Sequence, residues 1–116
     1  MKILVTGSRT FPSRELVEKV LEHWNPGGDV LVIVGDCPTG ADLYAREWCA
    51  KAKVPCQIHY ADWDKHGKPA GPIRNREMVE QEPDIVLAFY HGASRGTQNC
   101  VNLASKAGIS VDKYYA

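Results

Sequence analysis

The sequence predicts an α/β fold: one domain on a doubly wound, mainly parallel sheet of about five strands, with helices on both faces. Three observations predict it. Short apolar runs alternate with amphipathic helical patterns along the chain, as strand–helix crossovers require. The run "VLVIVG" (30–35) is continuously apolar, as a parallel strand covered on both faces should be. The turns that follow the strands are rich in glycine and hydroxyl residues, the composition expected at the carboxyl edge of such a sheet.

The elements follow in order. "KILVTG" (2–7) is a first strand ending on glycine. "PSRELVEKVLEHW" (12–24) is a helix with Leu16, Val17, Val20, Leu21 and Trp24 on one face and Ser13 placed to cap it. "NPGGD" (25–29) breaks that helix, and "VLVIVG" is the second strand. "ADLYAREWCAKAK" (41–53) is a second helix that turns Tyr44, Ala45, Trp48, Cys49 and Ala52 inward, and "CQIHY" (56–60) is a third strand. "ADWDKHGKPAG" (61–71) is a loop, long for a compact domain. A helix runs from Pro72 to about Gln81, followed by the strand "DIVLAFY" (84–90) and the turn "HGASRG" (91–96). "TQNCVNLASKAG" (97–108) is the last helix, stopped by Gly108, and "ISVDKYY" (109–115) supplies a fifth strand. No repeat, low-complexity tract or linker divides the chain.

A chain of 116 residues is the size of one domain and buries a real core. Its fourteen basic side chains balance fourteen acidic ones. A protein held to nucleic acid by phosphate neutralisation is usually basic, so nucleic acid is not an expected partner and any anion site must be local. Cys37, Cys49, Cys56 and Cys100 form no C-x-x-C pair, and His23, His59, His66 and His91 show no metal spacing, so neither a metal nor a cofactor is expected. The opening "MKILVTG" is too short for a signal core or a membrane span; scattered reduced thiols and a cytoplasmic location are the expectation.

In a doubly wound sheet, ligands sit beyond the carboxyl ends of the strands, near the switch point of the topology. The turns "GSRT", "GDCPTGAD" and "HGASRGT" should open together at that edge. Glycine lets backbone N–H groups approach an anion, and a helix N-terminus offers unpaired donors. The candidates are Gly7, Ser8 and Arg9 from the first turn and Gly35, Gly40 and Asp42 from the second. Gly92, Ser94, Arg95, Gly96 and Thr97 come from the third. The long loop adds Trp63 and Gly71. Within "GPIRNREM" (71–78), arginines sit at the positive end of a helix, where a cation is disfavoured. Arg74 is therefore expected to meet an anion, Asn75 to add an amide contact to a sugar or base edge, and Arg76 to face solvent.

Blander readings stand beside these. Glycine after a strand is common punctuation. "GSRT" lacks the G-x-G-x-x-G fingerprint, and in "GDCPTGAD" Ala41 and Asp42 stand where a P-loop needs Lys and Ser/Thr. Asp42 is either a ribose ligand or a favourable charge in a helix's first turn; Trp63 either stacks on a base or caps the core. Cys37 reads as a packed loop cysteine, and Asp62 and Asp64 as solvated charges.

Taken together, "GSRTF", "GDCPTGAD", "ADWDKHGKPAGPIRNREM" and "GASRGTQN" resemble the YspA/YpsA-type branch of the SLOG superfamily, over about Lys2 to Ser110. The most specific piece is a W-x₃-G-x₂-AG-x-x-RN-x-x-M pattern: Trp63, Gly67, Ala70, Gly71, Arg74, Asn75 and Met78. The resemblance implies a Rossmann-like fold and a nucleotide or nucleotide-derived ligand such as an ADP-ribose-like signal. It also implies a role as sensor or sponge in a phage or bacterial setting, and a homodimer or higher homo-oligomer, to which Tyr114 and Tyr115 would contribute. Two alternatives come with the superfamily: a phosphoribohydrolase of the LOG type, acting on nucleoside monophosphates, and a DNA-processing accessory like DprA. The LOG enzymes carry a P-G-G-x-G-T-x-x-E turn and an Arg-Lys pair on a neighbouring helix. Here Arg74 matches the arginine, Asn75 replaces the lysine, Gly92, Gly96 and Thr97 keep part of the turn, and Cys100 stands at the glutamate. Glycosidic cleavage needs a carboxylate, so no catalytic residue is assigned and binding is favoured over catalysis.

Overall fold

The computed structural model describes residues 1–25 and 27–116. Ten elements run in the order β1 (Lys2–Gly7), α1 (Arg14–Trp24), β2 (Leu31–Gly35), α2 (Gly40–Ala52), β3 (Cys56–His59), α3 (Trp63–His66), α4 (Ala70–Glu80), β4 (Ile85–Tyr90), α5 (Arg95–Lys106) and β5 (Ser110–Tyr115). The sheet order is β3-β2-β1-β4-β5 and every pairing is parallel. The chain builds outward from β1 to β3, then crosses back to place β4 on the other side of β1. The switch point therefore lies between β1 and β4, where Val5 is in register with Leu87 and Gly7 with Phe89.

Alternation along the strands feeds two apolar layers. Ile3, Val5, Val32 and Val34 join Val17, Val20 and Leu21 of α1 and Ala45, Trp48 and Cys49 of α2. Leu4, Ile33 and Val86 face the other way, onto Met78 and Val79 of α4 and Cys100 and Ala104 of α5. One helix pair thus covers each face, the doubly wound arrangement expected of a Rossmann-like domain.

Ser13 caps α1 as expected, its Oγ accepting from the Leu16 N–H at 3.1 Å. In the "NPGGD" break, Asn25 ends α1 and Gly28 takes a φ of +72°, while Pro26 lies outside the described residues. Ala52 is exposed rather than inward. The chain turns at Lys53, which is left-handed, and Val54 takes the buried place instead. The long loop holds a short helix, α3, because Asp62, exposed as expected, also caps it: its Oδ1 accepts from the Lys65 N–H at 3.1 Å. Helix α4 opens at Ala70, two residues before Pro72, since proline's missing N–H costs nothing in a first turn. Helix α5 likewise opens at Arg95 rather than Thr97. Tyr114 is half-buried against Phe89, their rings stacked at 5.2 Å, whereas Tyr115 is exposed. Among the described residues, no helix is long and apolar enough to cross a membrane.

Candidate functional site

At the switch point the loops after β1 and β4 diverge, and a cleft of about 300 Å³ opens between them. Gly7, Ser8 and Arg9 form one wall, Asp42 and Cys37 part of the floor, Arg74, Asn75 and Met78 another side, and Ala93 to Thr97 the far wall. A smaller hollow of about 100 Å³ continues outward past Arg9, Cys37 and Arg74 to Asp36, Pro38 and Trp63.

The glycine turns serve different ends. A methyl group at Gly40 would lie 2.2 Å from the Ser8 carbonyl oxygen, and Gly40 has a φ of +70°; only glycine lets the start of α2 press onto the β1 loop. That contact occupies one first-turn donor of α2, the Ala41 N–H, which reaches the Ser8 carbonyl at 3.4 Å, and the Thr39 hydroxyl before it, whose Oγ1 donates to the Arg9 carbonyl at 2.7 Å. At Gly35 a methyl would lie 2.7 Å from Arg74 Nη1 and 2.9 Å from Asp42 Oδ2, so its smallness admits protein side chains. Gly96 is the contrast, with open space where its side chain would be. Helix α5 begins here without a side-chain cap, because the Ser94 hydroxyl donates to Thr97 Oγ1 instead. The first-turn N–H groups of α5, in the cleft's far wall, are therefore paired by no side-chain cap.

Arg74 reaches in from α4. Its Nη1 donates to Asp36 Oδ1 at 2.7 Å and its Nε to Asn75 Oδ1 at 3.1 Å. Asp36 also accepts from the Ala61 N–H at 3.4 Å. The anion that compensates this arginine inside the fold is thus Asp36, a residue sequence reading passed over. Asn75 is almost fully buried and its amide is committed internally: Nδ2 donates to the Gly96 carbonyl at 3.2 Å and to Asn99 Oδ1 at 3.0 Å. It lines the cleft but positions Arg74 and the start of α5, in place of the free amide contact expected from its spacing. The Ser8 hydroxyl is committed too, donating to the His91 carbonyl at 3.1 Å and accepting the His91 N–H at 3.0 Å. Arg9 and Arg95 are exposed at the rim and join no ion pair among the described residues. Arg76 is exposed, as expected.

Asp42 is the unusual group. It is 6% exposed on the cleft floor, and burial pushes its carboxyl up to about 6 from an ordinary 3.8. The guanidinium groups of Arg74 and Arg46 and the Cys37 N–H, 3.4 Å from Oδ2, oppose that rise, while the charge on Asp36 adds to it. Cys100 is fully buried in the α4–α5 layer, where burial pushes its thiol up to about 11, and it does not line the cleft.

The structure brings Gly7, Ser8, Arg9, Asp42, Arg74, Asn75, Ser94, Arg95, Gly96 and Thr97 to the one cleft. Trp63 lines the adjoining hollow, 51% exposed, with its ring edge packed near Gly71. Gly35, Gly40, Gly71 and Gly92 do not line the cleft; the first two shape it from behind. Besides Asp36, sequence reading missed Thr6, Thr10, Cys37, Met78 and Ala93 as lining residues and Asn99 as Asn75's partner. The position of Asp36, directly after a buried strand at the ligand edge, was the available signal for the most important of these.

Fold and cleft define a single Rossmann-like domain with an arginine-framed cleft at its switch point. The chain belongs to the YspA, cpYpsA-related SLOG family, whose model matches residues 1–66. The Gene 61 protein of Mycobacterium phage D29 is 42% identical over 118 residues, an alignment covering 95% of this chain and 93% of that protein. No solved structure matches the chain. The family match ends within α3, before Arg74 and α5, and the phage relative extends the likeness over nearly the whole length.

Proposed function

We propose that the protein is a binding module for a nucleotide or nucleotide-derived small molecule, of the ADP-ribose-like kind, acting as a sensor or sponge. The observation that carries this reading is the far wall of the cleft: the uncapped first turn of α5, with Gly96 open at its surface and Arg9 and Arg95 unpaired at the rim. Uncapped helix N–H groups with exposed guanidinium groups beside them suit a phosphate. Arg74 would supply a further N–H from the opposite side, and Trp63, half-exposed in the adjoining hollow, a flat face for a base. SLOG membership supports the same ligand class. A pairing of two or more chains is part of the proposal, with the exposed Tyr115 at the β5 edge as one candidate contact.

Mass spectrometry of the small molecules released on denaturing natively purified protein tests the reading directly. A phosphate-bearing nucleoside derivative is the expected finding. A thermal-shift panel of nucleotides complements it, since a ligand at a hundred times its Kd stabilises by roughly 2.7 kcal/mol. A panel without any shift, on protein that releases no nucleotide, overturns it; free base accumulating from an added nucleoside monophosphate points to an enzyme of the LOG type instead.

A further inference from the structure

Among the described residues lining the larger cleft, Asp42 carries the only carboxylate, set among three arginines. Resting on the nucleotide reading above, we propose that Asp42 selects the sugar. Its carboxylate takes a vicinal pair of ligand hydroxyls, so the cleft recognises a ribose with both secondary hydroxyls free in preference to a deoxyribose.

The residue is more than nine-tenths buried, yet among the described residues the one hydrogen bond its carboxylate accepts is the long one from the Cys37 N–H, 3.4 Å from Oδ2. A carboxylate this buried is costly when short of donors, and Oδ1, which accepts no hydrogen bond from the described residues, is not among the sealed, unpartnered atoms and so opens to the cleft. The donors it lacks must come from whatever fills the cleft. A first-turn acid gains its benefit from the helix dipole without being buried, so the burial is not explained by α2 alone.

The surroundings select among donors. Asp42 Oδ2 and Arg74 Nη1 crowd the same small space above Gly35, within 2.9 and 2.7 Å of where its methyl group would be. An ammonium group arriving there meets a guanidinium of the same sign. A pair of neutral hydroxyls suits both neighbours: each O–H donates to the carboxylate, while its oxygen accepts from a guanidinium N–H. The location agrees. Asp42 lies on the floor of the larger cleft, whose far wall is the start of α5, and Cys37 and Arg74 connect that cleft to the hollow holding Trp63. In a nucleotide the sugar likewise joins phosphate to base.

Isothermal titration of AMP, ADP and ADP-ribose into the wild-type protein, then of the tightest binder's 2′-deoxy form, tests this without any variant. The expected result is a loss of about tenfold or more for the deoxy form, because a site built to bond a hydroxyl rejects the analogue lacking it. Asp42→Asn, checked for folding by its melting curve, should shrink that gap to about threefold or less. Equal wild-type affinities for the two forms, or a gap unchanged in Asp42→Asn, overturn the assignment of Asp42 while leaving the nucleotide reading intact. If none of the three nucleotides binds, the wider nucleotide panel gives no thermal shift and the protein releases no nucleotide on denaturation, the nucleotide reading itself fails and this inference with it.

Discussion

Arg74 and Asp36 form an ion pair at 2.7 Å that ties helix α4 to the tip of β2, across 38 positions of sequence. Their side chains are 15% and 25% exposed, so the pair is shielded without being sealed, and it forms the boundary between the larger cleft and the hollow holding Trp63. The geometry leaves Arg74 Nη2 without a partner among the described residues, available to a ligand.

Arg74→Ala is expected to abolish nucleotide-induced thermal stabilisation while costing the unliganded fold about 1–2 kcal/mol, the scale of losing hydrogen bonds to a charged group. Arg74→Lys should rescue little, because one ammonium cannot bond Asp36 and Asn75 together as the guanidinium does. Denaturant melts with and without nucleotide separate the two effects.

Asp42 carries a pH signature. Unfolded, its carboxyl ionises near 3.8; folded, only near 6. The native state therefore holds this proton more tightly, and stability falls as pH rises from about 4 to 6, with the full cost of about 3 kcal/mol present above that window. The nearby charges of Arg74, Arg46 and Asp36 are already contained in this balance. Asp42→Asn should melt higher than wild type at pH 7.5, by about 2–3 kcal/mol, and similarly to it at pH 4. Calorimetry at the two pH values checks both the size and the sign.

Two glycines should respond in opposite ways. Gly40→Ala is expected to destabilise by more than about 3 kcal/mol, since it adds a clash with the Ser8 carbonyl to a left-handed backbone. Gly96→Ala meets open space in a helix and should stabilise by about 0.5–1 kcal/mol, yet weaken nucleotide binding by crowding the far wall. Urea melts and titrations on the same preparations suffice.

Asn75→Ala should cost about 2–4 kcal/mol, because it orphans the Gly96 carbonyl, Asn99 Oδ1 and Arg74 Nε together. Loss of ligand affinity should accompany it although Asn75 itself has no free amide proton; measured coupling between Asn75→Ala and Arg74→Ala in a double-mutant cycle tests that dependence.

The fold was legible because period-2 and period-3.6 patterns are local and strong: every strand and the four long helices fall where the apolar spacing put them. Helix starts were less legible. Helix α5 begins at Arg95 and α4 at Ala70 since backbone geometry, not side-chain pattern, decides a first turn. At the candidate site, residue types in the loops pointed to the carboxyl edge of the sheet, and Arg74 and Asp42 meet there. What spacing does not encode is which polar groups satisfy each other. Ser8 closes on His91, Asn75 on Asn99, and Arg74 on Asp36, each pair brought together only by the tertiary fold. The second glycine turn illustrates the same limit: Gly40 makes room for the protein's own backbone, a contact its spacing does not encode.

The two bonds between Ser8 and His91 rivet the loops after β1 and β4 together at the base of the cleft. Parting these two loops about the switch point would have to break that pair of bonds, whereas Arg9, Arg95 and Trp63 at the mouth are exposed. On the nucleotide reading, binding to such a site is expected to be a single step. In stopped-flow mixing the observed rate should climb linearly with nucleotide concentration, without the plateau that a slow closing step would impose.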